Sequence, residues 1–243
     1  MEPYPTKLIL FDLDNTLFDH YHSLNCAISA IQERYPGLAD IETQTLIEQY
    51  NNSLQQAYDR YLKRFITYKE KDTVKVKLFF QGLGLPEPSS QCVIDFRATY
   101  QPAYRASRRA TPGSIELLTQ LRKLGYVTAI VTNGQTEDQS AKASAIRIRH
   151  LVDRIITSEE AGYPKPDRRI FQYAIKQLGG SSDTTYMVGD SVESDIQGAL
   201  NTNLKAVLYS PISLDTTRSL YGKEVPIISH MNQLLDHLGI RLN

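Results

Sequence analysis

Asp12 and Asp14 stand two residues apart, directly behind the apolar run Leu8-Ile9-Leu10-Phe11. Carboxylates this close repel each other unless a cation or a proton sits between them. Hard oxygen ligands of this kind suit Mg²⁺. Three more reactive groups follow along the chain: Thr132 with Asn133 and Gly134, Lys165 between Pro164 and Pro166, and Asp190 in Gly189-Asp190-Ser191 with Asp195 five residues on. Carboxylates, one hydroxyl, one amide and one ammonium form an inventory suited to phosphoryl transfer, where positioning and charge neutralisation supply most of the catalysis. It suits peptide hydrolysis poorly, since no Ser/His/Asp or Cys/His order is apparent.

These groups need a scaffold that brings them together. Leu8 to Phe11 has no polar break and suits a strand buried on both faces of a parallel sheet, with the turn-forming Asp12, Asp14, Asn15 and Thr16 straight after it. Tyr126–Thr132, Arg154–Thr157, Thr185–Val188 and Lys205–Tyr209 read as further strands, Val225–Ile228 as a small sixth, and Met231–Leu238 as a final helix. Helical patterns separate them. Pro112 fits the first turn of one through Leu121, Ala141, Ala143 and Ala145 mark a polar one, and Ile170, Phe171, Ala174 and Ile175 carry the next. Asp195 falls about where another begins, and Asn203 suits the left-handed position that closes it. Strands alternating with helices predict an α/β fold with a doubly wound parallel sheet. All carboxyl ends of such a sheet share one edge, so Asp12, Asp14, Thr132, Asn133, Lys165, Asp190 and Asp195 can meet there.

Between the first motif and Arg109 the texture changes to helical spacing, as in Leu24, Ala27, Ile28 and Ile31, or Leu46, Ile47, Tyr50, Leu54 and Ala57. Residues 19–108 therefore read as an all-helical insert, and 1–18 with 109–243 as the α/β core. The tyrosines Tyr35, Tyr50, Tyr58, Tyr61, Tyr68, Tyr100 and Tyr104 read as helix-packing residues, the basic group Arg60, Lys63, Arg64, Lys69, Lys71, Lys75 and Lys77 as a solvated face, and His20 and His22 as solvent-facing residues at a helix start. Lys plus Arg (27) balances Asp plus Glu (27), which argues against a nucleic-acid polymer or an anionic membrane surface as partner. Cys26 and Cys92 make neither a disulfide framework nor a zinc spacing. The start MEPYPTK lacks the basic and apolar regions of a signal peptide, and no run is long enough to span a membrane. The expectation is a cytoplasmic protein, monomeric or a small homo-oligomer.

Read in order, Asp12-Leu13-Asp14-Asn15-Thr16, Thr132-Asn133-Gly134, Lys165-Pro166 and Gly189-Asp190-Ser191 with Asp195 resemble the four signatures of the haloacid dehalogenase superfamily. The likeness covers about 150 residues of the α/β part. The insert resembles the cap of the subfamily that carries it after the first motif. The tail GDSVESDIQGALNTNLKA is similar to the nucleotide phosphatases and the acylneuraminate-9-phosphate phosphatases. The resemblance implies an aspartyl-phosphate on Asp12 and acid/base catalysis by Asp14. It implies Mg²⁺ held by Asp12, the Asp14 backbone carbonyl and Asp190, and phosphoryl oxygens bound by Thr132 and the backbone at Asn133. Lys165 would neutralise charge, Asp195 would hold metal waters or Lys165, and Thr16 would brace the first loop. The substrate implied is a small phosphorylated metabolite of the nucleotide or sugar phosphate class. The dehalogenases themselves lack the second aspartate and need no metal, so Asp14 argues for a phosphate ester over a carbon–halogen bond. A phosphomutase or 2-haloacid dehalogenase on the same fold is the alternative. A phospho-accepting signalling domain is a further one, though it has no reason to carry a helical cap.

Overall fold

The computed structural model describes residues 7–240; the first six residues read above lie outside them. In chain order the elements are β1 (Leu8–Phe11), α1 (His20–Arg34), α2 (Thr43–Leu62), α3 (Tyr68–Gly82), α4 (Ser90–Ala106), α5 (Ser114–Lys123), β2 (Val127–Thr132), α6 (Thr136–Ala145), β3 (Arg154–Thr157), α7 (Ser158–Ala161), α8 (Arg168–Leu178), β4 (Tyr186–Gly189), α9 (Gly198–Leu200), β5 (Lys205–Tyr209), β6 (Thr217–Leu220), β7 (Lys223–Ile228) and α10 (Leu234–His237). The chain divides into two compact units, one running up to His20 and resuming at Arg108, the other Tyr21–Ser107.

The first unit is built on a sheet of strand order β3-β2-β1-β4-β5-β7-β6, parallel throughout except for β6. All four residues of β1 are buried, because side chains alternate between two covered faces. Leu8 and Leu10 pack with Ala129, Val131, Met187, Ile170, Phe171 and Ile196 on one of them. Strand order reverses at β1, with β2 on one side and β4 on the other, and such a reversal opens a crevice at the carboxyl ends. Phe11 pairs with Val188, and the Asp12 N–H extends that ladder by donating to the Val188 carbonyl at 2.9 Å. Asp12 is thereby set beside the exit of β4.

β6 was not anticipated from the sequence. It forms a hairpin with β7 around Tyr221 and Gly222, both at positive φ (51° and 73°), the backbone of a two-residue hairpin turn. Its Thr-Arg-Ser-Leu carries little apolar signal because it is an exposed edge. The helix expected from Pro112 starts at Ser114 instead, with Gly113 as its N-cap at φ 83°, and the final helix is split into a 3₁₀ turn (Met231–Gln233) and α10. Asn203 does take the left-handed conformation, at φ 59°. No helix among the described residues is long and apolar enough to cross a membrane.

The second unit is all helical. Tyr50, Phe79, Phe96 and Tyr100 form its aromatic centre, with Tyr50 and Phe96 stacked at 6.0 Å and Tyr50 and Tyr100 centroids 4.7 Å apart. Thr67 and Ser89 cap α3 and α4, and Asp72 ties those helices together by accepting from Lys75 (3.1 Å) and Arg97 (3.0 Å). Several tyrosines thus do the packing work expected of them. Lys75 is less solvated than its run of basic residues suggested, lying over the Tyr50 and Tyr100 rings. Phe96 is fully buried in this cluster, so Phe96→Ala is expected to lower the unfolding free energy of the helical unit by about 3–5 kcal/mol in a urea melt.

Candidate active site

Each reactive group sits at the carboxyl edge of the sheet for a local reason. After β1 the chain makes a tight turn in which the N–H groups of Thr16, Leu17 and Phe18 all donate to the Leu13 carbonyl, and Asn15 adopts φ 63°. Asp12 leaves this turn inward and is buried, while Asp14 stays part-exposed. Thr132 ends β2 and is buried. The Asn133 side chain holds the lysine loop, leaving only its backbone for the expected phosphoryl contact. Its Nδ2 donates to the Lys165 carbonyl (3.0 Å) and its Oδ1 accepts from the Lys165 N–H (2.7 Å), which pins the lysine backbone in the Pro164–Pro166 loop.

Lys165, 5% exposed, sends its Nζ to Asp12 Oδ1 and Asp195 Oδ1, both at 2.6 Å. Asp195 lies on a π-helical stretch, Val192–Gln197, following β4, a wide turn of the sort that gathers at functional sites. Its other oxygen accepts from the Ser191 N–H at 3.1 Å. Gly189 makes room for this: a Cβ there would overlap the Asp195 carboxylate. Asp190 stands in the same cluster, with Thr16 Oγ1 at a long 3.5 Å from its Oδ1. Glu193 is exposed, as its position suggested.

Carboxylate oxygens of Asp12, Asp190 and Asp195 lie within 4.8 Å of one another. One ammonium, Lys165, faces these three carboxylates. Burial pushes the Asp12 carboxyl up to about 7, with Lys165 opposing and Asp195 adding to the rise. Burial, then Asp12 and Asp195, push Asp190 up to about 8. Lys165 is held protonated, because its two carboxylates outweigh the cost of burying it. Hard oxygen donors short of positive charge fit a divalent cation of the Mg²⁺ kind. Because both Asp195 oxygens already accept hydrogen bonds, Asp12 and Asp190 are the carboxylates best placed to ligate it.

This crowding sets a testable sign. In chelator-treated protein, Asp190→Asn is expected to be more stable than the parent by on the order of 3 kcal/mol at pH 8. Asp190's proton affinity is raised on folding, from 3.8 to about 8, so its cost builds above about pH 4 and levels off above about pH 8. Thermal melts across that range check it: the gain should vanish in acid.

Asp14 points elsewhere. Lys142 Nζ lies 2.6 and 2.7 Å from its two oxygens, and Gln139 Nε2 donates to Oδ2 at 3.3 Å. Burial alone would raise the Asp14 carboxyl, but Lys142 and then His20 hold it below the usual range. His20 corrects the reading of a solvent-facing residue, since it is 9% exposed and electrostatically felt by Asp14. Gln139 and Lys142 were missed. Their signal was available: two polar residues three apart share a helix face, on the helix straight after Thr132-Asn133-Gly134.

A family model described as haloacid dehalogenase-like hydrolase matches residues 6–202. The chain belongs to that family, and it is an enzyme, a hydrolase. Among curated relatives it is 26% identical to the glyceraldehyde 3-phosphate phosphatase of Methanothermobacter thermautotrophicus, covering 96% of this chain and 99% of that one. It is 31% identical to the ribulose-1,5-bisphosphate 5-phosphatase of Halopiger xanaduensis, covering 84% of each. Among solved structures, the HAD-hydrolase YfnB from Bacillus subtilis, bound to magnesium, shares the fold with a TM-score of 0.74 at 20% identity, over 98% of this chain and 100% of that one.

Proposed function

We propose that the protein is a Mg²⁺-dependent phosphatase of small phosphorylated metabolites, a phosphoric monoester hydrolase working through an aspartyl-phosphate on Asp12. The observation that carries this is the gathering of Asp12, Asp190 and Asp195 within 4.8 Å of one another, with the buried Lys165 paired to Asp12 and Asp195, at the carboxyl edge of β1 and β4. The two phosphatase relatives support the reaction class, and both act on phosphorylated metabolites by their names.

An Asp12 carboxylate oxygen attacks phosphorus. The bond from phosphorus to the leaving oxygen breaks, and that oxygen takes the Asp14 carboxyl proton. Lys142 keeps Asp14 ionised without substrate, and the negative phosphoryl group arriving beside it raises its proton affinity to the acid form. Water then attacks the aspartyl-phosphate and gives a proton back to Asp14 as the Asp12–phosphorus bond breaks. As phosphate leaves, Asp12 is ionised and Asp14 gives the returned proton to solvent, restoring its ion pair with Lys142. Lys165 offsets the negative charge at Asp12 throughout, held in line by Asn133 and Asp195. Thr132 and the backbone at Asn133 receive phosphoryl oxygens. Asp12, Asp190 and the Asp14 backbone carbonyl are the groups that would hold Mg²⁺, which would supply neutralisation of phosphoryl charge. Thr16 braces the turn beneath them.

A panel of sugar phosphates and nucleoside monophosphates, assayed for phosphate release with Mg²⁺ and with chelator, tests the reading. Release with Mg²⁺ and at least about 100-fold less with chelator is expected. Metal-independent chloride release from a 2-haloacid, with no phosphate released from any substrate, would overturn it.

A further inference from the structure

We propose that Lys142, anchored with Gln139 on α6, is the positioning residue for the Asp14 carboxyl, aiming it toward the leaving oxygen. This deepens the phosphatase reading and rests on it. Two carboxylates two residues apart have been given separate cations: Lys165 takes Asp12, and Lys142 takes both oxygens of Asp14 at 2.6 and 2.7 Å. A single ammonium held by both oxygens fixes the direction of the carboxyl, and the Gln139 bond to one oxygen alone limits its rotation. Lys142 is itself steadied. Its side chain is only 16% exposed, and its Nζ lies 5.7 Å from the Phe18 ring centroid, in the same turn that carries Asp14.

Gln139 supplies the second hold. It is 4% exposed, and its Nε2 bridges Asp14 Oδ2 (3.3 Å) and the Asn133 carbonyl (2.9 Å). The side chain fits only because Gly134, at φ 145°, has no Cβ; one would sit 2.6 Å from Gln139 Nε2. So the turn after β2 does two jobs. Asn133 pins the lysine of the nucleophile, while the Asn133 carbonyl and Gly134 seat the glutamine that steadies the acid/base.

A loosened Asp14 harms proton donation and acceptance, and spares steps that need neither. The test compares phenyl phosphate, whose leaving oxygen needs a proton, with 2,4-dinitrophenyl phosphate, whose phenolate leaves without one, in the parent, Lys142→Met and Lys142→Arg. For Lys142→Met, kcat/KM on phenyl phosphate is expected to fall about 30-fold, and on dinitrophenyl phosphate less than about threefold. Steady-state kcat on the dinitrophenyl ester should also fall, after a burst of dinitrophenolate, since the slowed step is now water's attack on the phosphoenzyme. Lys142→Arg should restore most of the loss on phenyl phosphate. The pair is partly exposed, so the melting temperature should move by no more than about 3 °C. Equal losses on both esters, or a rise in KM alone, would overturn the positioning role. A parent enzyme that releases phosphate from neither ester under Mg²⁺ would overturn the phosphatase reading, and the positioning role with it.

Discussion

Asp12→Asn is expected to abolish turnover, by at least about 10⁴-fold in kcat, while the protein stays folded. Asparagine keeps an oxygen to accept from Lys165, at the position where Asp12 Oδ1 now lies 2.6 Å away. It removes one of three crowded negative charges, so the fold gains from the change, and the backbone ladder through the Asp12 N–H is untouched. What is lost is the attacking oxygen. Phosphate release under Mg²⁺ and a urea melt, on the same preparation, separate these effects. Mass spectrometry of acid-quenched parent enzyme should find a phosphoryl adduct on the peptide containing Asp12, absent from the variant. Turnover within tenfold of the parent would assign the nucleophile elsewhere.

Lys165→Met is expected to lose turnover and about 3–5 kcal/mol of stability. The ammonium pairs with Asp12 and with one Asp195 oxygen, and its removal leaves three buried or half-buried carboxylates facing one another. Methionine fills the volume, so the loss is electrostatic and not a cavity. The sign against pH follows. Without the lysine the carboxylates of the folded state hold protons more tightly still than at present, when Asp12 is already raised to about 7. The destabilisation is therefore smallest below about pH 7, where these carboxyls carry protons with or without the lysine, and grows as pH rises above about 7, where they ionise in the parent against the lysine. Urea melts in chelator at pH 5 and pH 8 measure it. An equal loss at both would mean that packing, and not charge, holds Lys165 in place.

The fold was legible where burial speaks through composition. β1 and β5 are apolar runs closed by turn formers, and a strand buried on both faces leaves few other readings. β6 was hidden because an exposed edge strand needs no apolar face; its only cue was Tyr221-Gly222. The residues gathered around Lys165 were legible for a related reason. In a parallel sheet, sequence position at a strand exit is already a statement about place, so Asp12, Asp190 and Asp195 could be brought together before any coordinates. Gln139 and Lys142 lie inside a helix, where a polar face ordinarily means solvent, and only the turn before them gave their direction. Asn133 was legible as a residue of the site, but its hold on the lysine backbone depends on the loop from Pro164 to Pro166 coming back across to β2, which spacing alone does not express.

The space opposite Gly189 bears on how this chain can change over generations. The Asp195 carboxylate fills the volume that any side chain at 189 would claim. A substitution at 189 must then be matched by one at 195, and a shorter residue at 195 lets go of Lys165. The two positions form an epistatic pair. In a library varied one codon at a time, 189 should tolerate nothing, because every side chain there meets the Asp195 carboxylate first.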